Sequence, residues 1–176
     1  MTREPIQIEL SKESLYDVAQ ACVLNGERST GLSLERNTGF YLMKLLERQL
    51  RRVPSTERHA RRYLNVTDEF SDIAKALDGA SEVRATEYAH RLGDDILFIA
   101  GVFPEYLAYR SERGAMSQGT FLDIGARAYR IAAQRHGIEY PELYELSARF
   151  REAAHILFAG VSKECPGRII RKFYRT

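Results

Sequence analysis

The spacing of apolar residues along the chain is helical almost throughout. From Leu34 to Gln49, for example, side chains at intervals of three or four residues form one apolar face. Only residues 6–10 alternate between apolar and polar positions, and five residues do not form a sheet alone. The short polar connections between periodic segments favour antiparallel neighbours. The pattern predicts an all-α fold, a single-domain helical bundle of about six helices.

Capping and helix-breaking residues divide the chain into segments. Ser11 and Ser33 are suitable N-caps for the first two long helices, and Ser117 is suitable for a later one. Pro141 fits the first turn of a last long helix that runs to about residue 163, and Pro166 follows it. We therefore expect an N-terminal arm over residues 1–10, the helical bundle over residues 11–164 and a basic C-terminal tail over residues 165–176.

The most apolar segment is LGDDILFIAGVFPEYL, Leu92 to Leu107. Gly93 lies on its apolar face, so a neighbouring helix can approach closely there. Gly101 weakens the helix, and Pro104 disfavours a helical conformation at Phe103. We therefore expect a central helix with a bend or restart between Gly101 and Pro104.

Composition and charge are those of an ordinary globular domain. The chain has 176 residues, of which 44% are hydrophobic and 28% charged, with a net charge of +2. The longest apolar run, Ile96 to Phe103, is too short to span a bilayer. The N-terminal sequence lacks a signal-peptide pattern, and Cys22 and Cys165 lie in different segments. These features predict a cytoplasmic protein with reduced thiols and without a membrane segment.

Three segments together resemble a family of small bacterial all-helical proteins. They are FYLMKLLERQL (Phe40–Leu50), LGDDILFIAGVFPEYL and FLDIGARAYRIAA (Phe121–Ala133). The resemblance extends from about Leu15 to Ser162. No activity is established for that family, so the resemblance supports the extent of the domain and implies no substrate or cofactor.

Two Glu-x-x-His motifs raise the possibility of a di-metal bundle site, with Glu47 and Asp123 as further carboxylates. The motif residues are Glu87, His90, Glu152 and His155. On ideal helices, His90 lies roughly 110° from the centre of its apolar face and the other three lie roughly 140–170° from theirs. A site inside a bundle requires ligands that point inward. The facing therefore predicts polar surface residues, with no metal and no cofactor.

The adjacent pair Asp94 and Asp95 is the next candidate for chemistry. Neighbouring residues on a helix diverge by about 100°, so the two carboxylates cannot hold one ion jointly. Helical spacing places Asp94 opposite the apolar face, which predicts a solvated carboxylate, and one of the two is expected to pair with an arginine from another helix. The chain also lacks a Gly-x-Ser-x-Gly motif and a phosphate-binding glycine loop. We therefore predict no catalytic residues.

Charge is unevenly distributed along the chain. Residues 44–62 carry a net charge of +5, residues 163–175 carry +4, and residues 68–95 carry −5. The basic segments could bind nucleic acid or another anionic partner, or they could pair with the acidic segment within the monomer or across a homodimer. The candidate interaction residues are Arg51, Arg52, Arg58, Arg61, Arg62, Arg168, Arg171 and Lys172.

Aromatic residues cluster near two prolines and could line a small-molecule pocket or a protein interface. The pocket candidates are Phe103, Tyr106, Tyr109, Tyr140 and Tyr144. Such residues also close the ends of helical cores, with their hydroxyl groups in water.

The sequence favours a non-enzymatic protein-interaction or regulatory module, with a protein partner or a second copy of the chain. One alternative is a small-ligand binder or enzyme with a pocket near Phe103–Tyr109. A weaker alternative is nucleic-acid binding through segments 44–62 and 163–175.

Overall fold

The computed structural model of the protein describes residues 14–52, 82–112 and 117–164. The backbone in these ranges forms helices and short connections, without a strand, which confirms the predicted all-α bundle. None of the helices described is both long and apolar enough to cross a membrane. The helices are α1 (Leu15–Thr30), α2 (Arg36–Arg52), α3 (Glu82–Val102), α4 (Pro104–Glu112), α5 (Gln118–His136), α6 (Pro141–Ala148) and α7 (Phe150–Glu164), with a 3-10 turn at Gly137–Glu139.

Side chains just before the helices set two of the helix starts. The Ser14 hydroxyl accepts a hydrogen bond from the Asp17 N–H, and the Asp17 carboxylate accepts one from the Ser14 N–H. Ser117 caps α5 in the way that its position in the sequence predicts. Of the other two predicted caps, Ser11 lies outside the described residues, and the observed cap of α1 is Ser14. Ser33 lies three residues before the start of α2 at Arg36.

The helix α3 lies at the centre of the bundle and contacts α2, α4, α5 and α7. Every residue from Ile96 to Phe103 is buried, because neighbouring helices cover α3 on several sides. The apolar core extends from this segment to the inner faces of α1, α2, α5, α6 and α7. Fully buried members include Leu42, Leu45, Leu97, Phe98, Tyr129, Leu143 and Leu157.

The predicted bend after α3 is confirmed. α3 ends at Val102, Phe103 is not helical, and α4 begins at Pro104, which needs no donor at the first helical position. The Phe103 N–H still donates to the Ile99 carbonyl at 2.8 Å, so the helix is interrupted without loss of that bond. Gly101 lies against α7, and an added Cβ there would be 2.6 Å from the Leu157 Cβ.

The helices α1 and α7 pack with their backbones in close contact. A Cβ added at Gly160 would overlap the Cys22 carbonyl group, and a Cβ added at Gly26 would overlap the Ile156 carbonyl group. Because each glycine faces a backbone carbonyl, and not a flexible side chain, neither site has room for a methyl group. The two glycines therefore set the distance between the helices.

The sequence predicts one long helix from Pro141 to about residue 163, and this prediction is wrong. The structure divides it into α6 and α7 at Arg149, whose backbone leaves the helical region (φ −117°, ψ 31°). The Arg149 guanidinium donates to the Ser33 carbonyl at 2.8 Å and also binds Glu145 and Glu152. These bonds attach the break to the loop before α2.

Gly93 lies on the packing face of α3, as the sequence predicts. A Cβ there would be 2.7 Å from the Tyr129 ring, which is fully buried and cannot move aside freely. We expect Gly93→Ala to lower the free energy of unfolding by about 1–2 kcal/mol through overpacking, measured by urea denaturation. Gly119→Ala is the matched control, because its added Cβ would meet nothing closer than 3.9 Å. Equal stability of the two variants would contradict the close contact at Gly93.

Candidate functional site

The candidate site is built around a buried charge. Most buried residues in the described ranges are apolar, and the buried polar or charged ones are Thr38, Gln49, Thr86 and Asp94. Asp94 lies on α3, two turns before the bend, and is 7% exposed. A charged carboxylate is tolerated in the protein interior only when hydrogen-bond donors surround it. The donors around Asp94 therefore define the candidate site.

Asp94 receives hydrogen bonds from two other helices. Its Oδ1 atom accepts from the Tyr129 hydroxyl of α5 at 2.8 Å and from the Tyr41 hydroxyl of α2. Its Oδ2 atom accepts from Nη2 of Arg48, also on α2, at 2.6 Å. The Tyr41 hydroxyl also contacts Nε2 of His90 at 2.6 Å. We refer to these five residues as the Asp94 cluster.

The prediction that Asp94 is solvated is wrong. Helical spacing places it opposite the apolar face of α3, but α2 packs on that side and covers it. The expected pairing with an arginine from another helix is confirmed by Arg48. Asp95 accepts a separate hydrogen bond from Nε2 of Gln49 at 2.7 Å. The two carboxylates therefore bond different side chains of α2, and Asp94 also bonds Tyr129 of α5.

Burial and charge fix the protonation of the two tyrosines. Burial, reinforced by the negative charge of Asp94, raises the pKa of Tyr41 and of Tyr129 far above its usual range. Both phenols therefore keep their protons at neutral pH and act as hydrogen-bond donors. Burial has the opposite effect on His90 and lowers its pKa, although the charge of Asp94 opposes this shift. His90 is consequently neutral at neutral pH.

The single hydroxyl proton of Tyr41 determines the tautomer of His90. Tyr41 donates that proton to Asp94, so its oxygen can only accept at the contact with His90. His90 therefore donates from Nε2, and in its neutral form the Nδ1 atom carries a lone pair. This tautomer follows from the hydrogen-bond network. Nδ1 is thus the atom of His90 that takes up a proton.

Three aromatic rings connect the Asp94 cluster with the surface. The ring centroid of His90 lies 5.7 Å from that of His136, at the end of α5, and 6.1 Å from that of Tyr140. His136 and Tyr140 are 4.6 Å apart. Nε2 of His136 is buried, and no hydrogen-bond partner for it is found among the described residues. Tyr140 is the most exposed of the three rings.

The chemistry available to the Asp94 cluster is limited. The carboxylate already accepts three hydrogen bonds, and both tyrosines are held in the protonated form. Neither the carboxylate nor the tyrosines can serve as a nucleophile at neutral pH without breaking this network. The remaining proton acceptor is Nδ1 of His90. The arrangement is therefore better suited to holding three helices in position than to group transfer.

The four residues of the Glu-x-x-His motifs are not brought together. Glu87 and His155 are exposed, as their helical facing predicts. Glu152 binds Arg149, while His90 is half-buried against Tyr41, contrary to the expectation of a surface position. In the described ranges, no three histidine, cysteine or acidic side chains form an arrangement able to hold a metal ion.

The predicted aromatic pocket is only partly described. Phe103 is buried in the core, 5.7 Å from the Phe98 ring, so it does not line a surface pocket. Tyr140 and Tyr144 are partly exposed near the 3-10 turn. The side chains of Tyr106 and Tyr109 are not among those that the structure describes.

The basic candidate residues lie mostly outside the described ranges. Arg51 is exposed and pairs with Glu47 at 2.7 Å. The other candidates have no described side chain, so binding through them stays a prediction; they are Arg52, Arg58, Arg61, Arg62, Arg168, Arg171 and Lys172.

Sequence reasoning missed the roles of Tyr41, Tyr129 and His136. Tyr41 and Tyr129 fit an apolar helical face, and His136 fits a helix end, so their spacing gave no sign of a polar network. One signal was present in the run from Ile96 to Phe103. A helix that is apolar all round is covered on all sides, which predicts that a carboxylate within one turn of the run is also covered and paired.

Comparisons of the chain with models of protein families, with curated proteins and with solved structures gave no match, so the resemblance to a small bacterial family stays a prediction.

Proposed function

We propose that the protein is a non-enzymatic interaction module that binds a basic, partly apolar segment of another protein. The binding surface consists of Ile138, Tyr140 and Tyr144, which we call the 138–144 surface. The observation that carries the proposal is the exposure of Ile138, which is 94% accessible to solvent. Tyr140 and Tyr144 are 36% and 45% exposed beside it in the chain.

Single exposed apolar residues are common on protein surfaces and need no explanation. Here an isoleucine and two tyrosines are exposed within seven residues of the chain. Tyrosine is enriched in protein interfaces, because it offers a large contact area together with a hydrogen-bonding group. The combination is typical of a recognition surface.

The backbone that carries this surface is held in place. Gly137 ends α5 with a φ of 67°, and its N–H donates to the Ala133 carbonyl. Pro141 begins α6, and the buried Leu143 donates its N–H to the Tyr140 carbonyl at 3.1 Å. A partner would therefore meet side chains on ordered backbone, which reduces the entropy lost on binding.

Charge indicates what kind of partner fits. The segment IEYPELY contains Glu139 and Glu142 and no basic residue. Glu139 is exposed, and Glu142 is partly exposed in the first turn of α6. Lysine or arginine beside an apolar anchor would complement these carboxylates. The same charges disfavour nucleic acid at this surface, because phosphate groups would be repelled.

Ile138→Glu is expected to weaken this binding without affecting the fold. Peptides selected from a random displayed library on the wild-type protein should be rich in lysine or arginine and in apolar residues. Their Kd should rise about 30-fold for the variant, the equivalent of about 2 kcal/mol for an apolar anchor. Because the side chain is exposed, the stability of the variant should change by less than about 0.5 kcal/mol. Fluorescence polarisation would give the Kd values, and circular dichroism would report on folding.

Phe158→Glu provides the matched control, since Phe158 is 42% exposed on a different helix, α7. It should leave peptide affinity unchanged. Peptides that bind both variants equally, or that lack basic residues, would refute the proposal. A concentration-dependent dimer that only Ile138→Glu dissociates would show that the surface binds a second copy, and would also refute it.

A further inference from the structure

One residue of the 138–144 surface lies over two histidines. Tyr140 packs against His136 and His90, and His90 belongs to the Asp94 cluster. The only other histidine in the described ranges, His155, is exposed on α7. The rings of His90 and His136 therefore support an aromatic side chain of the surface.

A proton on His90 would be poorly accommodated. His90 already donates from Nε2 to Tyr41, so an added proton must go to Nδ1. The ring centroids of His136 and Tyr140 lie 5.7 and 6.1 Å from that of His90. The added charge would need hydration that this packing restricts.

The charged and titratable groups around His90 have opposing effects on its pKa. Asp94 and Glu142 attract a proton, whereas Arg48 and His136 oppose one, and burial opposes it most strongly. The remaining neighbours, Tyr41, Tyr129 and Tyr140, are neutral phenols. The net result is a lowered pKa for His90 in the packed state.

We propose that His90 makes the position of Tyr140 depend on pH, so that acid releases the 138–144 surface from the bundle. Tyr140 is the ring that moves, because it is the most exposed of the three and lies between the 3-10 turn and the start of α6. Its departure would let water reach both histidines. The expected loss of partner binding in acid rests on the proposed function, but the movement of Tyr140 does not depend on it.

The direction of the effect follows from proton linkage. In the released state, hydrated His90 should titrate near its ordinary pKa of about 6.5, whereas in the packed state its pKa is lower. The packed state is therefore fully favoured above about pH 6.5 and loses stability as the pH falls below that value. Between pH 7.5 and pH 5.5, one such histidine shifts the equilibrium towards release by at most about tenfold.

Hydrogen–deuterium exchange at the two pH values tests the movement without any partner. After correction for the intrinsic pH dependence, amides of residues 138–144 should exchange faster at pH 5.5, by up to about tenfold, while amides in α1 and α7 should not change. His90→Gln should remove the difference, because glutamine can still donate to Tyr41 but does not titrate. His155→Gln, the control, should retain the pH dependence of exchange. Unchanged exchange in the wild type, or the same pH response in His90→Gln, would overturn the proposal.

A second measurement on the wild-type protein avoids any problem with folding of the variant. In a proton NMR titration, the ring signals of His90 and Tyr140 should shift with one common midpoint below about pH 6.5. Different midpoints would overturn the proposal. Loss of peptide affinity at pH 5.5 would connect the movement with the proposed function. A pH-dependent exchange without peptide binding would refute that function and leave the switch intact.

Discussion

Replacing Gly160 with alanine is expected to lower the free energy of unfolding by about 3 kcal/mol or more. The new methyl group would overlap the Cys22 carbonyl group, and a backbone carbonyl cannot move unless all of α1 moves. The separation of α1 from α7 would also expose apolar residues that both helices bury, among them Val23 and Leu157. Urea denaturation would give the free energy, and the melting temperature should fall by about 6 °C or more.

Gly39→Ala is the control for this experiment. Gly39 is also helical, in α2, but a Cβ added there would meet nothing within 4 Å. Alanine is a better helix former than glycine by up to about 1 kcal/mol, so this variant should be as stable as the wild type or more stable. A Gly160→Ala protein that unfolds at the same urea concentration as Gly39→Ala would contradict the close packing of α1 on α7.

Asp94→Ala is expected to cost about 3–4 kcal/mol of stability. The change removes the buried acceptor for the hydroxyls of Tyr41 and Tyr129, although Tyr41 keeps its contact with His90 at 2.6 Å. Arg48 contributes less to the loss, because its side chain is 43% exposed and can be hydrated. The measurement is again urea denaturation at neutral pH.

Asp123→Ala is the matched control for Asp94→Ala. Asp123 also pairs with an arginine, Arg151, at 2.9 Å, but the two side chains are 73% and 60% exposed. The expected change is within about 0.5 kcal/mol. Tyr129→Phe should also destabilise the wild type but have little effect in the Asp94→Ala background, because its hydrogen bond is already lost. Similar losses for the two aspartate variants would contradict a buried role for Asp94.

The helical periodicity of the sequence was enough to predict the fold class and the bend at Pro104, because both depend on local chemistry. A proline after an apolar helix restricts the residue before it, whatever surrounds it. The contact at Gly93 was predictable for the same reason, since a glycine on an apolar face leaves room for a neighbour. The break at Arg149 was not, because it depends on Ser33, more than a hundred residues away in the chain.

The candidate site was harder to predict than the fold. Its members come from α2, α3 and α5, and the spacing of residues within one helix does not predict which other helices pack against it. The angular positions of Asp94 and His90 on an isolated helix predicted that both side chains lie on the protein surface. That prediction assumes a helix with one buried side, whereas neighbouring helices cover α3 on several sides. Of the 138–144 surface, Tyr140 and Tyr144 were candidates from the sequence for a pocket or an interface, whereas Ile138 was missed because it lies in a 3-10 turn and not on a helical face.

The Asp94 cluster also has a consequence for how the chain reaches its final alignment. Apolar helix faces can slide past one another by one turn, about 5.4 Å, and still bury similar areas. Asp94 bonds residues 53, 46 and 35 positions away, on two other helices, and each bond requires one particular alignment. A misaligned helix would leave a carboxylate buried without donors. We infer that this single charge selects the correct register among otherwise comparable packings of α2, α3 and α5.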